Sequence, residues 1–242
     1  TIPDHENPGK TEMLDERLLA TPAVAVQNSR RQTNNMAELV RSNLLQAMSL
    51  THKWDAKCAD SVKENEDIID AYEDKIGSYL IKLSGRDLTQ EDSHEVSVLL
   101  HTISDFERIG DYAVNLTESA EELHARGAQF STTARQELAV LQDALHEIMG
   151  YAEDAFTTRQ ARVARHIEPV EEVIDDLVET LRARHTRRLL DGKCTIYGGL
   201  GFLNSLTNIE RIADQCSNLG IYTIALTDPD IARTHHDYIQ HL

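Results

Sequence analysis

Four pairs of acidic residues in this sequence have a spacing that places both members on one face of a helix. Residues four apart are neighbours on a helix surface, and two like charges there cost an isolated helix roughly 0.2–0.5 kcal/mol. A bound cation removes that repulsion, so these acids are candidate metal ligands. The four pairs are Glu66 with Asp70, Glu107 with Asp111, Glu171 with Asp175, and Glu210 with Asp214.

Two of the pairs lie inside a duplicated segment. Residues 102–116 align without a gap on residues 205–219, and both copies contain Glu-Arg-Ile-x-Asp followed by Asn-Leu. A repeat at a spacing of about a hundred residues indicates two similar domains, because solenoid arrays repeat every ~20–50 residues. Apolar residues accompany the acids at core spacing in both copies, so we expect the acids beside a helical core. Asn115 and Asn218, further along the same stripe, are candidates to orient ligands or waters.

The composition predicts an all-α protein. The chain has 242 residues, of which 40% are hydrophobic and 5% aromatic, with few Gly and Pro, a balance typical of helical proteins. The formal net charge of -17 repels phosphate backbones and makes nucleic acid an unsuitable partner. Three widely spaced cysteines suggest neither a disulfide framework nor a thiolate zinc site, which indicates a reducing, cytosolic environment. No apolar run approaches the ~18–20 residues that cross a bilayer.

The hydrophobic pattern divides the chain into a connector over residues 1–20, a first three-helix domain over residues 21–127 and a second over residues 128–242. The six predicted helices cover residues 21–50, 52–83, 89–127, 131–158, 161–190 and 195–226.

Capping residues and breakers set the predicted helix ends. Thr21 before Pro22 predicts one helix start, and Gly85 predicts a left-handed cap. Pro169 predicts a kink or a boundary near the start of the fifth helix. The Gly-Gly-x-Gly run at residues 198–201 indicates close helix packing, since no strand precedes it and no Gly-Lys-Ser/Thr follows.

The acid pairs lie at matching heights in the predicted hairpins. Asp70 is ~14 residues, or ~21 Å, from the end of its helix, and Glu107 is ~17 residues, or ~26 Å, from the start of the next. The second half gives ~14 and ~15 residues for Asp175 and Glu210. We therefore expect four carboxylates to converge in each domain. Oxygen ligands of this kind suit hard or borderline cations such as Mg, Mn, Ca or Fe.

Other interpretations of the acids compete with metal binding. The acids could face solvent on separate surfaces or pair with Arg108, Arg211 and neighbouring Lys and Arg residues. A purely structural adaptor bundle would need no metal. A di-iron carboxylate enzyme normally requires Glu-x-x-His on each of two helices. Here Glu91-x-x-His94 and Glu121-x-x-His124 both lie on the third helix, far apart. The sequence has no nucleophile elbow or Walker motif, so we expect no catalysis.

The duplicated Glu-Arg-Ile-x-Asp segments and the acid pairs on the preceding helices resemble the PhoU family of phosphate-uptake regulators over about residues 21–226. The resemblance implies two tandem three-helix bundles whose acid pairs bind multinuclear metal clusters of Fe, Zn, Mn or Mg. It also implies control of phosphate transport or signalling, with transport or signalling proteins as partners and phosphate as a candidate ligand. Many relatives have His where this chain has Tyr112 and Gln215. The shape and acidity are compatible with a homodimer, although no pattern specifies one.

A finer resemblance concerns residues 14–25 and the segments around Cys194 and Glu210. These are similar to the C-terminal PhoU domain of bacterial sodium/phosphate cotransporter-like proteins. They imply a cytosolic domain tethered to the inner face of the membrane, with the transporter membrane domain as its partner. The alternative is a free-standing phosphate-signalling regulator.

Overall fold

The computed structural model of the protein describes residues 14–227, and these residues form helices without a strand. The prediction of an all-α fold is confirmed. A 3-10 helix, Glu16–Ala20, precedes seven α-helices. These are α1 (Pro22–His52), α2 (Ala56–Ser84), α3 (Gln90–Ala125), α4 (Thr132–Thr158), α5 (Ala161–Ala164), α6 (Ile167–Leu190) and α7 (Ile196–Thr227).

The long helices form two tandem three-helix bundles, as predicted. Helices α1, α2 and α3 pack together in the first, and α4, α6 and α7 in the second. The two bundles meet where α3 lies along α7 and α1 meets α4. At this junction the rings of Phe106 and Phe156 make an edge-to-face contact with centroids 5.7 Å apart. The buried side chains of both bundles form one continuous hydrophobic cluster. The predicted division between residues 127 and 128 falls in the connection between α3 and α4.

Side-chain caps fix several helix starts. The Thr89 hydroxyl accepts a hydrogen bond from the Asp92 amide at 3.0 Å, and the Ser131 hydroxyl accepts one from the Ala134 amide at 3.2 Å. Each cap satisfies an amide that has no partner inside its helix. Thr21 is the N-cap residue of α1 and Pro22 is its first residue, as predicted, although the Thr21 side chain makes no capping hydrogen bond.

Three predictions of local structure need correction. Helix α2 begins at Ala56 rather than near His52, because the Asp55 carboxylate accepts from the Lys57 amide and caps the helix there. Gly85 has φ -80°, so the α2 cap is not left-handed. The predicted connector contains a 3-10 helix, and the Tyr79 hydroxyl, which donates to the Asp15 carbonyl oxygen at 3.1 Å, holds it against α2.

The predicted fifth helix is broken near its start. Helix α5 ends at Ala164 and α6 begins at Ile167, so Pro169 is the third residue of α6. A proline in the first turn removes no intrahelical hydrogen bond, since the amides of that turn have no helical acceptor. The predicted boundary is therefore confirmed.

The glycines early in α7 allow close helix packing, as predicted. A Cβ on Gly201 would lie 3.0 Å from a Leu123 methyl carbon, and a Cβ on Gly199 would lie 3.0 Å from Nε2 of His185. Gly201 thus brings α7 against α3 of the other bundle, whereas Gly199 brings α7 against α6. None of the described helices combines the length and the apolar character that spanning a bilayer requires.

Candidate metal centres

Helices α2 and α3 place the four predicted acids of the first bundle on facing surfaces, but no three of these acids offer carboxylate oxygens that all lie within 4.8 Å of one another. We call Glu66, Asp70, Glu107 and Asp111 the first acid cluster. Between the α2 acids, Ile69 is fully buried. Its side chain lies 3.3 Å from the position that a Cβ on Gly110 would occupy. The two helices therefore approach closely at the level of the acids, and the glutamates are half-buried while the aspartates are exposed.

The electrostatics link all four members of the first acid cluster. Burial raises the pKa of Glu66 to about 7, and the charges of Asp70 and Asp111 and a hydrogen bond with Asp70 add to the shift. Burial likewise raises the pKa of Glu107 to about 7, helped by Asp111, Asp70 and Glu73. The pKa of Asp111 is raised by burial and by Asp70. Carboxylates on both helices thus oppose each other's ionisation across the hairpin.

Helices α6 and α7 build a second acid cluster, Glu171, Asp175 and Asp214. Each of the three residues offers one carboxylate oxygen, and these oxygens all lie within 4.8 Å of one another. Burial raises the pKa of Glu171 to about 7, with further contributions from Asp175, Glu168 and Asp214. Burial and then the neighbouring carboxylates also raise the pKa values of Asp175 and Asp214.

Glu210, the fourth predicted ligand of the second bundle, has a counter-charge. A guanidinium nitrogen of Arg182 on α6 lies 2.6 Å from its carboxylate and 3.0 Å from the Thr207 hydroxyl. The carboxylate nevertheless stays close enough to raise the pKa values of Asp175 and Asp214. Glu210 therefore lies at the edge of the second acid cluster and is held there by an arginine.

Among the described residues, the arginines that the sequence suggested as partners form no ion pair with a clustered acid. The charge of Arg108 nevertheless opposes the rise in the pKa of Glu107, and the charge of Arg211 opposes the rise in the pKa of Asp214. Arg108 contacts Asp105 at 3.4 Å, and the Arg211 guanidinium lies 5.8 Å from the centroid of the Tyr112 ring. The competing arginine-pairing interpretation therefore applies to one acid, Glu210, and through an arginine that the sequence did not single out.

Sequence reasoning also missed two acids next to the clusters. Glu73 lies three residues after Asp70, and together with Asp70, Asp74 and Glu107 it lines a cavity of about 250 Å³. Glu168 lies three residues before Glu171, raises its pKa, and accepts a hydrogen bond from the Ser217 hydroxyl at 2.7 Å. The three-residue spacing was a signal for both, since such residues also share a helix face.

The donor atoms fit a hard cation. Both clusters offer carboxylate oxygens, which Mg, Mn, Ca and iron accept as ligands. Burial first, and then repulsion between neighbouring carboxylates, raises the pKa values of these acids, and a cation between the carboxylates relieves that repulsion. The partial exposure of the acids leaves room for water to complete a coordination sphere. The chemistry that such a metal would supply is positive charge with open positions for further oxygen ligands.

Residues from the competing predictions lie away from both clusters. His124 stacks on Trp54 with ring centroids 5.5 Å apart, and His94 lies near the carbonyl oxygen of Ala225 at the other end of α3. Neither Glu-x-x-His pair therefore contributes to an acid cluster. Asn218 lies close enough to Asp105, on α3 of the other bundle, to oppose the rise in the pKa of that acid. The predicted roles of Asn115 and Asn218 beside the acid clusters stay predictions.

Comparison with known proteins identifies the family. The PhoU domain profile matches residues 33–120 and again residues 138–223, which is one match in each bundle and more than half of the chain. The chain belongs to the PhoU family. Each PhoU match contains one complete set of four predicted acids.

Curated PhoU relatives cover most of this chain. The "Phosphate-specific transport system accessory protein PhoU" of Edwardsiella tarda is 28% identical over 192 residues, 78% of this chain and 77% of that protein. The proteins of the same name from Serratia marcescens and Escherichia coli are each 26% identical over 200 residues. These matches cover 80% of this chain and 79% and 80% of the two relatives, respectively.

Solved PhoU structures share the fold. The crystal structure of PhoU from Pseudomonas aeruginosa has a TM-score of 0.77 and 25% identity, covering 83% of this chain and 96% of that chain. PhoU from Streptococcus pneumoniae, at 19% identity, has the same TM-score over 86% of this chain and 97% of that one. The tandem three-helix architecture is therefore that of the PhoU fold.

Proposed function

We propose that this chain is a regulatory accessory protein of a phosphate transport system and that its two acid clusters bind metal ions. The observation that supports this proposal is the duplication: in each half of the chain, carboxylates from two helices lie near one another. The relatives are named as accessory proteins of phosphate transport, which supports a regulatory role rather than catalysis.

The same relatives favour the free-standing regulator over the cotransporter domain. Both bundles match accessory proteins over about four-fifths of their length. Support for the cotransporter interpretation comes from residues 14–25 and the segments around Cys194 and Glu210. We therefore propose action on transport or signalling proteins at the cytosolic side of the membrane, by contact rather than through a shared membrane domain.

The residues suggest how metal binding would be coupled to such a contact. Near neutral pH the raised pKa values of Glu66, Glu107 and Glu171 leave a fraction of these groups protonated. Binding a cation would displace these protons and join α2 to α3, and α6 to α7. The hairpin that carries each cluster would become stiffer, and its exposed acidic face less negative. Both changes would alter how strongly a transport protein, or phosphate itself, binds to that surface.

The role in transport is tested by radiolabelled phosphate uptake in the source organism. The chromosomal gene is replaced by a variant with Glu107→Gln, Asp111→Asn, Glu210→Gln and Asp214→Asn. We expect uptake to lose its normal decrease as external phosphate rises. The matched control neutralises four exposed acids outside the clusters, Glu64, Glu118, Asp143 and Glu179. A normal response in the cluster variant, with metal binding shown to be lost, would contradict the proposed coupling.

A further inference from the structure

A separate pocket of about 480 Å³ lies at one end of the molecule, where α1 and α3 end and α4 begins. It is far from the first and last described residues. Asp15 contacts Tyr79 near the end of α2, and Ala225 lies beside His94 near the start of α3, so both are at the opposite end. The pocket is lined by residues of both bundles and of the connection between them. Its volume falls within the ~300–1,000 Å³ typical of small-molecule sites.

The charge of this pocket is opposite to that of the protein. The chain has 41 acidic and 24 basic residues, yet the pocket is lined by Lys53, Arg135, His52 and His124 and by no acid among the described residues. Lys53 and Arg135 are exposed, and neither forms an ion pair within the part of the chain that the structure describes. Two fixed positive charges thus face one cavity without a carboxylate to neutralise them.

The acids on the elements that border the pocket bind groups outside it, and Glu137, two residues after Arg135, pairs with Arg188 at 2.7 Å. Asp55 accepts from the Lys57 and Cys58 amides at the start of α2. Glu121 pairs with Lys63 at 2.8 Å, and Glu122 pairs with Arg126 at 2.9 Å. None of these acids lines the pocket.

One wall of the pocket is aromatic and apolar. Trp54, half-buried, stacks on the His124 ring with an interplanar angle of 20°. Leu50, Ala120 and Leu123 continue this wall. A flat ring of a ligand can stack on such a surface. A lysine or arginine beside an aromatic side chain can bind the charged part of the same ligand while the aromatic side chain contacts its ring.

We propose that this pocket binds a small organic anion with two or more negative charges and a flat ring, the chemical class of nucleoside phosphates. Its charged groups would lie between Lys53 and Arg135, and its ring would lie along the Trp54 wall. Because Lys53 follows α1 and Arg135 is in α4, the bound anion would join the two bundles at their connection. The proposal does not depend on metal binding by the acid clusters.

The single tryptophan of the chain gives a direct test, since Trp54 lines the pocket. The intact protein is titrated with ADP in the presence of EDTA, so that no metal can bridge the nucleotide to an acid cluster. We expect a saturable change in Trp54 fluorescence. Adenosine alone and inorganic phosphate alone should each bind at least about tenfold more weakly than ADP, because adenosine lacks the negative charges and inorganic phosphate lacks the ring.

The variant Lys53→Gln/Arg135→Gln should weaken ADP binding at least about tenfold, because it removes both fixed charges. The control Lys57→Gln/Arg86→Gln changes the net charge equally at exposed positions outside the pocket and should bind as the wild type does. Circular dichroism verifies that both variants fold. The proposal is overturned if ADP causes no saturable change at millimolar concentration, if both double variants bind equally, or if inorganic phosphate binds as tightly as ADP.

Discussion

Arg182 gives the second acid cluster a counter-charge that the first acid cluster lacks. Aligning Glu171 with Glu66 places Gly77 at the position of Arg182, so no arginine reaches Glu107 from the equivalent site on α2. Arg182 and a metal ion would compete for Glu210. The two clusters therefore have the same origin in sequence but different electrostatics.

We predict that Arg182→Gln raises the metal affinity of the second acid cluster roughly tenfold, because it removes a positive charge beside the site. The measurement is calorimetric titration with Mn²⁺ in a background where Glu66→Gln/Asp70→Asn silences the first cluster. Arg187→Gln, exposed on the same helix, is the control. A fall in affinity on losing Arg182 would show that the arginine supports the site instead.

The raised pKa values predict how the metal-free protein responds to pH. Glu66, Glu107 and Glu171 have a folded-state pKa of about 7, against an ordinary value of 4.5. The folded protein therefore holds protons that the unfolded chain releases, and stability falls as pH rises between these values. We expect a lower Tm at pH 8 than at pH 5, measured by thermal denaturation with EDTA.

Replacing the same three glutamates by glutamine should reduce this dependence on pH. Some slope should remain, since burial also raises the pKa of Asp105 to about 6. Saturating metal should also remove the fall in Tm between pH 5 and pH 8, because the metal binds the ionised carboxylates. An unchanged slope in the glutamine variant would mean that other groups control the pH response.

The sequence was sufficient to predict which acids share a helix face but not their exact neighbours. A four-residue spacing fixes the relation of Glu107 to Asp111, because both are on one helix. Whether Arg182 or a carboxylate faces Glu210 depends on the rotation of α6 about its axis relative to α7, which tertiary packing sets. The ion pair between Glu210 and Arg182 therefore could not be predicted from residue spacing within one helix.

Among the helices, α7 depends on small residues where it crosses its neighbours. Gly201→Ala should lower the free energy of unfolding by about 1–3 kcal/mol, the usual cost of overpacking, since its Cβ would meet Leu123 at 3.0 Å. Urea denaturation measures the change. Gly150→Ala in α4 is the matched control, because its nearest neighbour would be 3.9 Å away. That substitution should stabilise the helix by up to ~1 kcal/mol.

Helix ends were predictable where a capping residue marks them in the sequence. The predicted helices that start at residues 89 and 131 are capped by Thr89 and Ser131, because each hydroxyl accepts from a free amide three residues further on. The start of α2 was missed although Asp55 is a good capping residue. The strong apolar pattern on both sides of His52 hid the short break. The break between α5 and α6 was located through Pro169, even though the proline itself lies inside α6.

The two bundles are tied together by a buried ionic contact. Glu95 on α3 pairs with Arg30 of α1 at 2.5 Å and also with Arg159, which follows α4. The exposed fraction of Glu95 is 7%, so removing its carboxylate leaves the partly buried Arg30 without its counter-charge. We predict that Glu95→Ala lowers the free energy of unfolding by about 3 kcal/mol.

Denaturant unfolding of this variant is compared with Glu118→Ala, an exposed acid on the same helix that should change stability by less than ~0.5 kcal/mol. Equal effects of the two substitutions would show that the contact between Glu95 and the arginines contributes nothing to holding the bundles together.

The duplication predicted two similar bundles, and the structure has them. It did not predict that α3 and α7, the helices that carry the duplicated segments, would pack along each other. Each helix buries residues in its own bundle and a second set against the other bundle, so the apolar pattern of one helix alone could not separate the two surfaces. The cationic pocket at the end of this junction was hidden for the same reason, since its residues come from distant parts of the sequence.

Metal content is the most direct test of the central claim that both bundles hold metal through their acid pairs. The purified protein is loaded with Fe, Mn, Zn or Mg and measured by elemental analysis, together with Glu107→Ala/Asp111→Ala and Glu210→Ala/Asp214→Ala. The account predicts more than one metal ion per chain in the wild type and loss of about half of it in each double variant. A wild type that binds no metal, or double variants that retain the full load, would contradict it.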